Sequence, residues 1–400
     1  MRRALIAAAT AATAAATAVL LAGCSPLTEM VTMQGRSVPV CGHPDGVVLI
    51  VGAHRDTPAP SALPARVACL VGAAIERRKP VILVDATGQP DVVTPRLLSV
   101  TGGTLAQQDS PRVAQDVQRV SDAIAGLRPR APGVDDLAAL ALAGDAAQAD
   151  GLPHAVLVLM DSGLDDRGAL SFTTAGMLAA EPSEVAAQLK ATGNEPHLRG
   201  FTVELVGIGF TAPPQAPLDA KWRGSLTAIW QAVVTSAGAS VVVIPQPSDG
   251  ASVRTREPVR LVTVPADQPV RPAAGAHIVF NGASPVRFEP NTTVFADPAA
   301  AVRALRPIAG WLAADRSRHA LLVGTTADVG PISGQVALSR QRAGRVRAVL
   351  LALGASRSQI TLDGVGSDFP QFVPDRNASG TLLAGPASMN RSVRINLSSS

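Results

Sequence analysis

Five short apolar runs, each followed or separated by segments of helical periodicity, dominate the sequence between residues 43 and 246. Their lengths are typical of buried β-strands. The runs are GVVLIV, PVILVD, HAVLVLMD, FTVELV and SVVVIP. Strands that alternate with helices are joined by right-handed crossovers into a mostly parallel sheet covered on both faces. The pattern therefore predicts a doubly wound α/β domain over residues 43–246.

The rest of the chain follows a different order. Residues 247–275 are rich in proline and arginine, apart from the strand-like VRLVTV, and predict an inter-domain linker. Residues 276–400 combine strand-like segments, among them HIVFNG, VRFEPNTTVF and HALLVGTT, with two amphipathic helical segments. The sequence therefore predicts a smaller α+β domain over residues 276–400.

The composition excludes some classes of protein. Hydrophobic residues make up 47% of the 400 residues and charged residues 16%, so folded cores are expected rather than disorder. The formal net charge is only +4, aromatic residues make up 3%, and no basic run is concentrated in one place. Nucleic-acid binding is not expected, because neither a basic groove nor aromatic stacking side chains are indicated.

The N-terminus has the layout of a secretory signal peptide over residues 1–23. Arg2 and Arg3 precede an apolar run that ends in Leu-Ala-Gly-Cys at Cys24. This ending resembles the lipobox of bacterial lipoproteins, which implies that the Cys24 thiol carries lipid. Residues 24–42 would then form a tether, and the protein would be extracytoplasmic and anchored to a bacterial membrane. An uncleaved membrane helix is the alternative, since about 20 apolar residues can span a bilayer.

Two further cysteines, Cys41 and Cys69, remain if Cys24 is lipidated. An even pair outside the cytosol favours a disulfide, and two buried thiols are the alternative. Two cysteines are too few for a zinc site of the usual kind, and no metal site or cofactor is expected.

Polar residues follow two of the apolar runs. His54 and Asp56 come directly after the first, and Asp161 ends the third. Because ligands bind at the carboxyl ends of strands in open α/β sheets, these three residues could meet in one cleft. The alternative is that the two aspartates cap the turns that follow and His54 is an ordinary loop residue. No P-loop, GxGxxG, HExxH, GxSxG or EF-hand pattern accompanies them, and an enzyme is not expected.

The α/β domain resembles von Willebrand factor A-like domains in the order of its elements. VLVLMDSG and VELVGIG match two consecutive strands of that family. The family holds a metal ion with an Asp-x-Ser-x-Ser motif after the first strand, where this chain has GAHRDTPAPS. Val134 or Asp135 stands where the family has a threonine, and only Asp161 matches its third element. The resemblance therefore implies a metal site that has lost its ligands.

The C-terminal domain resembles the OmpA-like peptidoglycan-associated domains over residues 276–398. VRFEPNTTVF, LSRQRAGRV, GVGSDFP and NRSVRI occur in that family's order and spacing. In that family, a Gly-His-Thr-Asp loop and a helix arginine hold diaminopimelate of the peptidoglycan stem peptide. The aspartate pairs with the ligand's ammonium group, and the arginine meets a carboxylate in bidentate geometry.

Three residues of the segment GQVALSRQRAG match the helix part of that site. Arg342 corresponds to the ligand-binding arginine, and Leu338 to the helix leucine. Gln335 stands where the family usually has asparagine. The resemblance implies that these residues bind peptidoglycan.

The loop GTTADVG, residues 324–330, departs from the family pattern at one position. Thr325 stands in place of the histidine and Thr326 matches the threonine, but Ala327 replaces the aspartate and Asp328 comes one residue late. Two outcomes are open. Asp328 could turn inward and replace the missing carboxylate, or the domain could have lost or changed its ligand.

Two functional hypotheses follow. In the first, the protein is a lipid-anchored envelope protein whose OmpA-like domain binds, or once bound, peptidoglycan, while the α/β domain contacts another envelope protein. In the second, the α/β domain is a ligand-binding or cryptic hydrolytic module, and the OmpA-like domain is a spacer that no longer binds the cell wall.

Overall fold

The structure is a computed structural model that describes residues 30–33, 36–39, 41–58, 62–97, 106–246, 248 and 250–399. The chain divides into two compact units, Met1–Val40 and Cys41–Ser400. In the first unit, β1 (Met30–Met33) pairs antiparallel with β2 (Arg36–Pro39), so part of the predicted tether forms strands. The predicted signal peptide and Cys24 lie outside the described residues.

The larger unit begins with a six-stranded sheet. Its strands are β3 (Val47–Val51), β4 (Val81–Asp85), β5 (Asp91–Leu97), β6 (Val156–Met160), β7 (Thr202–Val206) and β8 (Ser240–Ile244). They lie in the order β5-β4-β3-β6-β7-β8, and all neighbours are parallel except β4 and β5. The five apolar runs form the five parallel strands, and the antiparallel edge strand β5 was not predicted.

Helices cover both faces of this sheet. Alternate residues of β3 point to opposite sides, so Val47, Leu49 and Val51 pack in one hydrophobic core while Val48 and Ile50 pack in the other. Helices α1 (Ala65–Glu76) and α2 (Ala106–Ala125) close the first core. Helices α3 (Asp136–Ala149), α4 (Pro182–Ala191) and α5 (Ala220–Ser236) close the second. The N-terminal region is thus an α/β layer structure around a mixed sheet.

Part of the segment predicted as a linker packs against this α/β region, through Val253, Val262 and Val264. Val262 is buried, and its backbone N–H and C=O both bond to the Gln215 side chain, at 2.8 and 2.9 Å. An amide side chain can take the place of a neighbouring strand in this way, because it carries both a donor and an acceptor. The strand-like VRLVTV is held in this way but belongs to no sheet.

The C-terminal region has a four-stranded sheet of β9 (His277–Phe280), β10 (Arg318–Gly324), β11 (Ile360–Gly364) and β12 (Val393–Ser399). The order is β11-β10-β12-β9, with β10 and β11 parallel and β12 antiparallel to both of its neighbours. Helices α6 (Pro298–Ala313) and α7 (Ile332–Ala352) pack on the sheet, and α8 (Ala384–Asn390) precedes β12. Segment VRFEPNTTVF forms a single bridge, Phe288 to Phe295, rather than the predicted strands, because Asn291 turns the chain with a positive φ.

The α/β and C-terminal regions contact each other within the Cys41–Ser400 unit. Glu184 of α4 accepts two hydrogen bonds from the guanidinium of Arg391, at 2.8 and 2.5 Å. Gln188 accepts a bond from the backbone N–H of Ala384 at 2.8 Å, and the Ser388 hydroxyl donates to the Gly176 carbonyl at 2.8 Å. In the described part of the chain, no helix has the length and apolar character needed to cross a membrane.

Candidate functional site

Two glycines bring helix α7 close to the ends of β10 and β11. A Cβ atom on Gly324 would lie 1.9 Å from the Ser339 carbonyl oxygen, and one on Gly364 would lie 2.3 Å from the backbone nitrogen of Arg340. Real Cβ atoms do not approach so closely, so only glycine allows this contact. The contact seats α7 over the 324–330 loop and places the side chains of Gln335 and Arg342 beside it.

Arg342 is buried, with 4% of its surface exposed, yet it has no ion pair among the described residues. Its Nε donates to the Thr292 carbonyl at 2.9 Å and its Nη2 to the Glu289 carbonyl at 3.4 Å. The guanidinium carbon lies 5.2 Å from the centre of the Phe288 ring. Backbone carbonyls and an aromatic ring orient the cation without neutralising it. A buried charge of this kind is costly unless an anion pairs with it.

The pKa of Arg342 is consistent with a buried cation that has no anionic partner among the described residues. Burial, followed by the nearby charge of Arg391, lowers the pKa of Arg342 to about 10. At neutral pH the guanidinium therefore keeps its charge, although the site disfavours it. A carboxylate that entered the site would relieve this cost.

A cavity of about 100 Å³ lies between α7 and the loop. It is lined by four of the five residues predicted from the family resemblance, Thr326, Gln335, Leu338 and Arg342, together with Ala327 at the position of the missing aspartate. The structure thus brings the predicted side chains together around one small space.

Two polar atoms at this cavity are buried without a hydrogen-bond partner, Thr326 Oγ1 and Gln335 Oε1. The orientation of the Gln335 amide is fixed by its nitrogen, which donates to Asp328 Oδ1 at 3.1 Å and to the Gly330 carbonyl at 3.0 Å. Both partners accept, so the other amide atom must be the oxygen. The Gln335 oxygen can accept a hydrogen bond from a ligand, and the Thr326 hydroxyl can accept or donate one.

Asp328 does not line the cavity. Its side chain is 45% exposed and forms an ion pair with Arg376 at 3.2 Å, while its other oxygen accepts the bond from Gln335. Asp328 therefore orients Gln335 and does not occupy the place of the carboxylate that Ala327 lacks. Ala327 itself is 2% exposed.

The loop is held by two residues that the sequence analysis did not single out. Asp375 is buried, and its Oδ2 accepts bonds from the Asp328 backbone N–H at 3.0 Å and from Asn390 Nδ2 at 2.9 Å. Thr325, at the family's histidine position, donates to the Asn390 carbonyl at 2.5 Å. These bonds tie the loop to Asp375 and to the end of α8, just before β12. Asn390 begins the segment NRSVRI, but no sequence pattern indicated Asp375.

A second, larger cavity of about 470 Å³ adjoins the first, and both are lined by Asn291, Arg342 and Arg391. Its walls come from both regions of the chain. Residues 179–182 and 184, at the start of α4, and part of α5 form one wall, and residues 287–291 form part of the other. Sequence reasoning gave no indication of this cavity, because it depends on how the two regions pack.

His54, Asp56 and Asp161 do meet at the carboxyl end of the six-stranded sheet. His54 Nδ1 bonds to Asp56, and Nε2 bonds to Asp161 Oδ2 at 2.6 Å. All three side chains are buried, with at most 4% exposed. Both imidazole nitrogens are occupied, so neither is available to accept a proton from a substrate.

The charges in this cluster explain why His54 is held between its two carboxylates and is not available to a substrate. Burial disfavours the His54 cation and is the largest single effect, but Asp161 and Asp56 together outweigh it and raise the pKa of His54 to about 10. Burial and the charge of Asp161 raise the pKa of Asp136 well above its usual range. His54 and its two carboxylates therefore form an internal ion pair.

The following loop has a structural role. Asp165 accepts the backbone N–H bonds of Asp136 and Leu137 at 2.9 and 3.1 Å, which caps the start of α3. Asp166 accepts bonds from the backbone N–H groups of Val134 and Arg260, both at 2.7 Å. Within the described residues, no group of three or more His, Cys, Asp or Glu has the arrangement of a metal site.

Cys41 and Cys69 are joined by a disulfide, with their Cα atoms 5.8 Å apart. The bond ties the segment before β3 to helix α1.

Comparison of the sequence with curated proteins gave no match. Among solved structures, the chain is similar to the periplasmic domain of Helicobacter pylori MotB (residues 78–256), with 19% identity over 32% of this chain and 79% of that one, and a TM-score of 0.26. It is also similar to the peptidoglycan-associated lipoprotein from Burkholderia pseudomallei, with 24% identity over 28% of this chain and 86% of that one, and a TM-score of 0.23. Residues 287–379, which include the loop and most of the cavity around Arg342, match the OmpA family, so the C-terminal region contains an OmpA-like domain.

Proposed function

We propose that this protein belongs to a bacterial cell envelope and binds peptidoglycan non-covalently through its OmpA-like domain. The Arg342 guanidinium would hold a carboxylate of the stem peptide. Thr326 Oγ1 and Gln335 Oε1 would accept hydrogen bonds from the ligand's amine, and Leu338 would contact its apolar part. The protein would act as a binding protein without turnover, and no cofactor is part of the proposal.

The observation that carries the proposal is the state of Arg342. It is a buried cation with no anionic partner among the described residues, at the edge of a cavity that also contains two unsatisfied acceptors. The combination suits a zwitterionic ligand, because a carboxylate and an amine would each complete one half of the site. The match of residues 287–379 to the OmpA family supports a peptidoglycan peptide as that ligand.

The N-terminal part of the proposal rests on sequence. The Leu-Ala-Gly-Cys segment supports lipid attachment at Cys24, and a lipid anchor would hold the protein to a membrane outside the cytoplasm. The α/β region, whose element order resembles von Willebrand factor A-like domains, would contact another envelope protein. The closed state of the His54 cluster favours such a binding role over hydrolysis.

A sedimentation assay with diaminopimelate-type peptidoglycan tests the proposal. The full chain, purified in mild detergent, is expected to sediment with the isolated cell wall. Arg342→Ala removes a charge-assisted contact, which typically contributes about 1.5–3 kcal/mol, so we expect at least a tenfold loss of binding.

Arg340→Ala is the matched control, because Arg340 lies on the same helix but its side chain is 62% exposed. This variant is expected to sediment like the parent. A parent chain that stays in the supernatant, or an Arg342→Ala variant that binds as well as the parent, would contradict the proposal.

A further inference from the structure

The larger cavity lies between the α/β region and the OmpA-like domain, next to the proposed ligand site. It is lined by Glu181 and Lys221 from the α/β region and by Arg287, Arg342 and Arg391 from the other side. A cavity of about 470 Å³ is within the size range of sites for small ligands. A ligand bound at Arg342 can therefore extend into a space walled by the α/β region.

Three of the charges at this cavity are already paired or hydrogen-bonded. Arg391 and Glu184 form a two-bond ion pair, with both carboxylate oxygens used. Lys221 donates to the Ala283 carbonyl at 2.7 Å and lies over the Trp222 ring at 4.4 Å. These groups hold the two regions together. Other side chains at the cavity must therefore bind the charged groups of a ligand.

Three other charges have no partner in the described part of the chain. The side chains of Glu181, Arg287 and Glu289 make no hydrogen bond and no ion pair; Glu289 is exposed, whereas Glu181 and Arg287 are only partly exposed. Burial, then the charge of Glu184, raises the pKa of Glu181, whereas Arg391 and Arg287 act to lower it. Glu181 and Arg287 are therefore close enough for their charges to interact, and each could pair with a charged group of a ligand.

The lining excludes some ligands. A polyphosphate would suit the arginines but would be repelled by Glu181 and by Glu289, which also faces the cavity. A short peptide that carries carboxylates and one primary amine matches both signs of charge. Peptides of this class include the stem peptide of the proposed function.

We propose that Glu181 of the α/β region pairs with the amine of a peptide that extends from Arg342 into the larger cavity, and that Arg287 binds a second carboxylate of the same peptide. The ligand site is then composite, with the amine held between the two regions. This inference rests on the proposed function and assigns part of it to the α/β region. It also gives the packing of the two regions a direct role in recognition.

The test is a titration of the full chain, purified in mild detergent, with a soluble stem tripeptide that ends in diaminopimelate and whose N-terminal amine is acetylated, so that the side-chain amine is its one cation. The same peptide acetylated on its side-chain amine is the second probe. Glu181→Gln is expected to weaken binding of the amine peptide about tenfold and to change binding of the acetylated peptide little, because only the first peptide offers a cation. Arg287→Ala is expected to weaken binding of both peptides.

Two matched variants serve as controls. Glu76→Gln and Arg306→Ala change the same side-chain types at exposed positions away from the cavity, and both are expected to bind like the parent. The Glu181 side chain makes no capping bond to α4, so its replacement leaves the helix start intact. Thermal unfolding of each variant checks this.

The two proposals fail in different ways. If the parent and the Glu181→Gln variant bind the tripeptide equally well, the composite site is overturned and the proposed function still stands. If Glu181→Gln weakens the binding of both peptides equally, the assignment of Glu181 to the amine is also overturned. Absence of parent binding to both the tripeptide and the cell wall overturns the two proposals together.

Discussion

Arg342 and His54 are both buried cations, but they differ in what surrounds them. His54 lies between two carboxylates, so its charge is satisfied within the protein. Arg342 has backbone carbonyls and a phenylalanine ring instead, so its charge remains available to a ligand. The comparison explains why we place binding at Arg342 and a structural role at His54.

The His54 cluster makes a prediction about stability and pH. Removing one member of a buried ion pair typically costs about 3–5 kcal/mol, so His54→Gln is expected to lower the free energy of unfolding by that order near pH 6. The pKa of His54 rises from 6.5 to about 10 on folding. A raised pKa stabilises the fold fully below the unfolded value, and this contribution is lost as pH rises through the folded value. The difference between the parent and His54→Gln is therefore expected to shrink between about pH 6.5 and pH 10.

Urea unfolding at pH 6 and pH 9.5 measures this difference. His154→Gln is the control, because His154 is exposed and outside the cluster. A difference between the parent and His54→Gln that stays constant with pH would show that His54 is not held as a cation by Asp56 and Asp161.

The structure brings four of the five residues predicted from the family resemblance around one cavity, but the sequence did not indicate the partners of these side chains. Thr326, Gln335, Leu338 and Arg342 lie around one cavity because a helix and the loop before it fix their relative positions locally. The position of Asp328 depends on Arg376, which is distant in sequence and matched no motif. A single sequence carries no pattern for such a contact.

At the scale of elements, the apolar runs predicted the parallel strands, and in the central strands β3 and β4 every residue is buried because both faces are covered. Strand β5 reads DVVTPRL and has neither a continuous apolar run nor a regular alternation, which is typical of an edge strand. Helix α8 reads AGPASMN and has no helical periodicity; it forms where it packs against the α/β region. Tertiary contacts outweighed local preference in both cases.

The disulfide between Cys41 and Cys69 makes a prediction about α1. It closes a loop with a sequence separation of 28, and a crosslink of that size is expected to stabilise the fold by about 3 kcal/mol. The double variant Cys41→Ser and Cys69→Ser should therefore unfold at a lower urea concentration than the parent. Treatment of the parent with a reductant should reproduce the shift, and a further shift in the reduced double variant is not expected. An unchanged urea midpoint would contradict a stabilising crosslink.

At the scale of the whole described unit, the packing of the two regions forms the larger cavity beside the small one around Arg342. The Glu184–Arg391 pair and the bonds from α8 fix this packing. A cavity bounded on one side by α4 and α5 and on the other by the OmpA-like domain follows directly. The sequence of each region carries no pattern for its packing against the other, so the shared cavity could not be predicted from the sequence.

The central claim is that Arg342 binds a carboxylate of the peptidoglycan stem peptide. The most direct test measures the dissociation constant of the full chain for a soluble stem tripeptide ending in diaminopimelate, and for the same tripeptide with its diaminopimelate carboxylates converted to amides. We expect binding of the first peptide and a loss of at least tenfold with the second, because the amide removes the charge that Arg342 requires. Equal affinity for the two peptides, or no binding of either, would contradict the account.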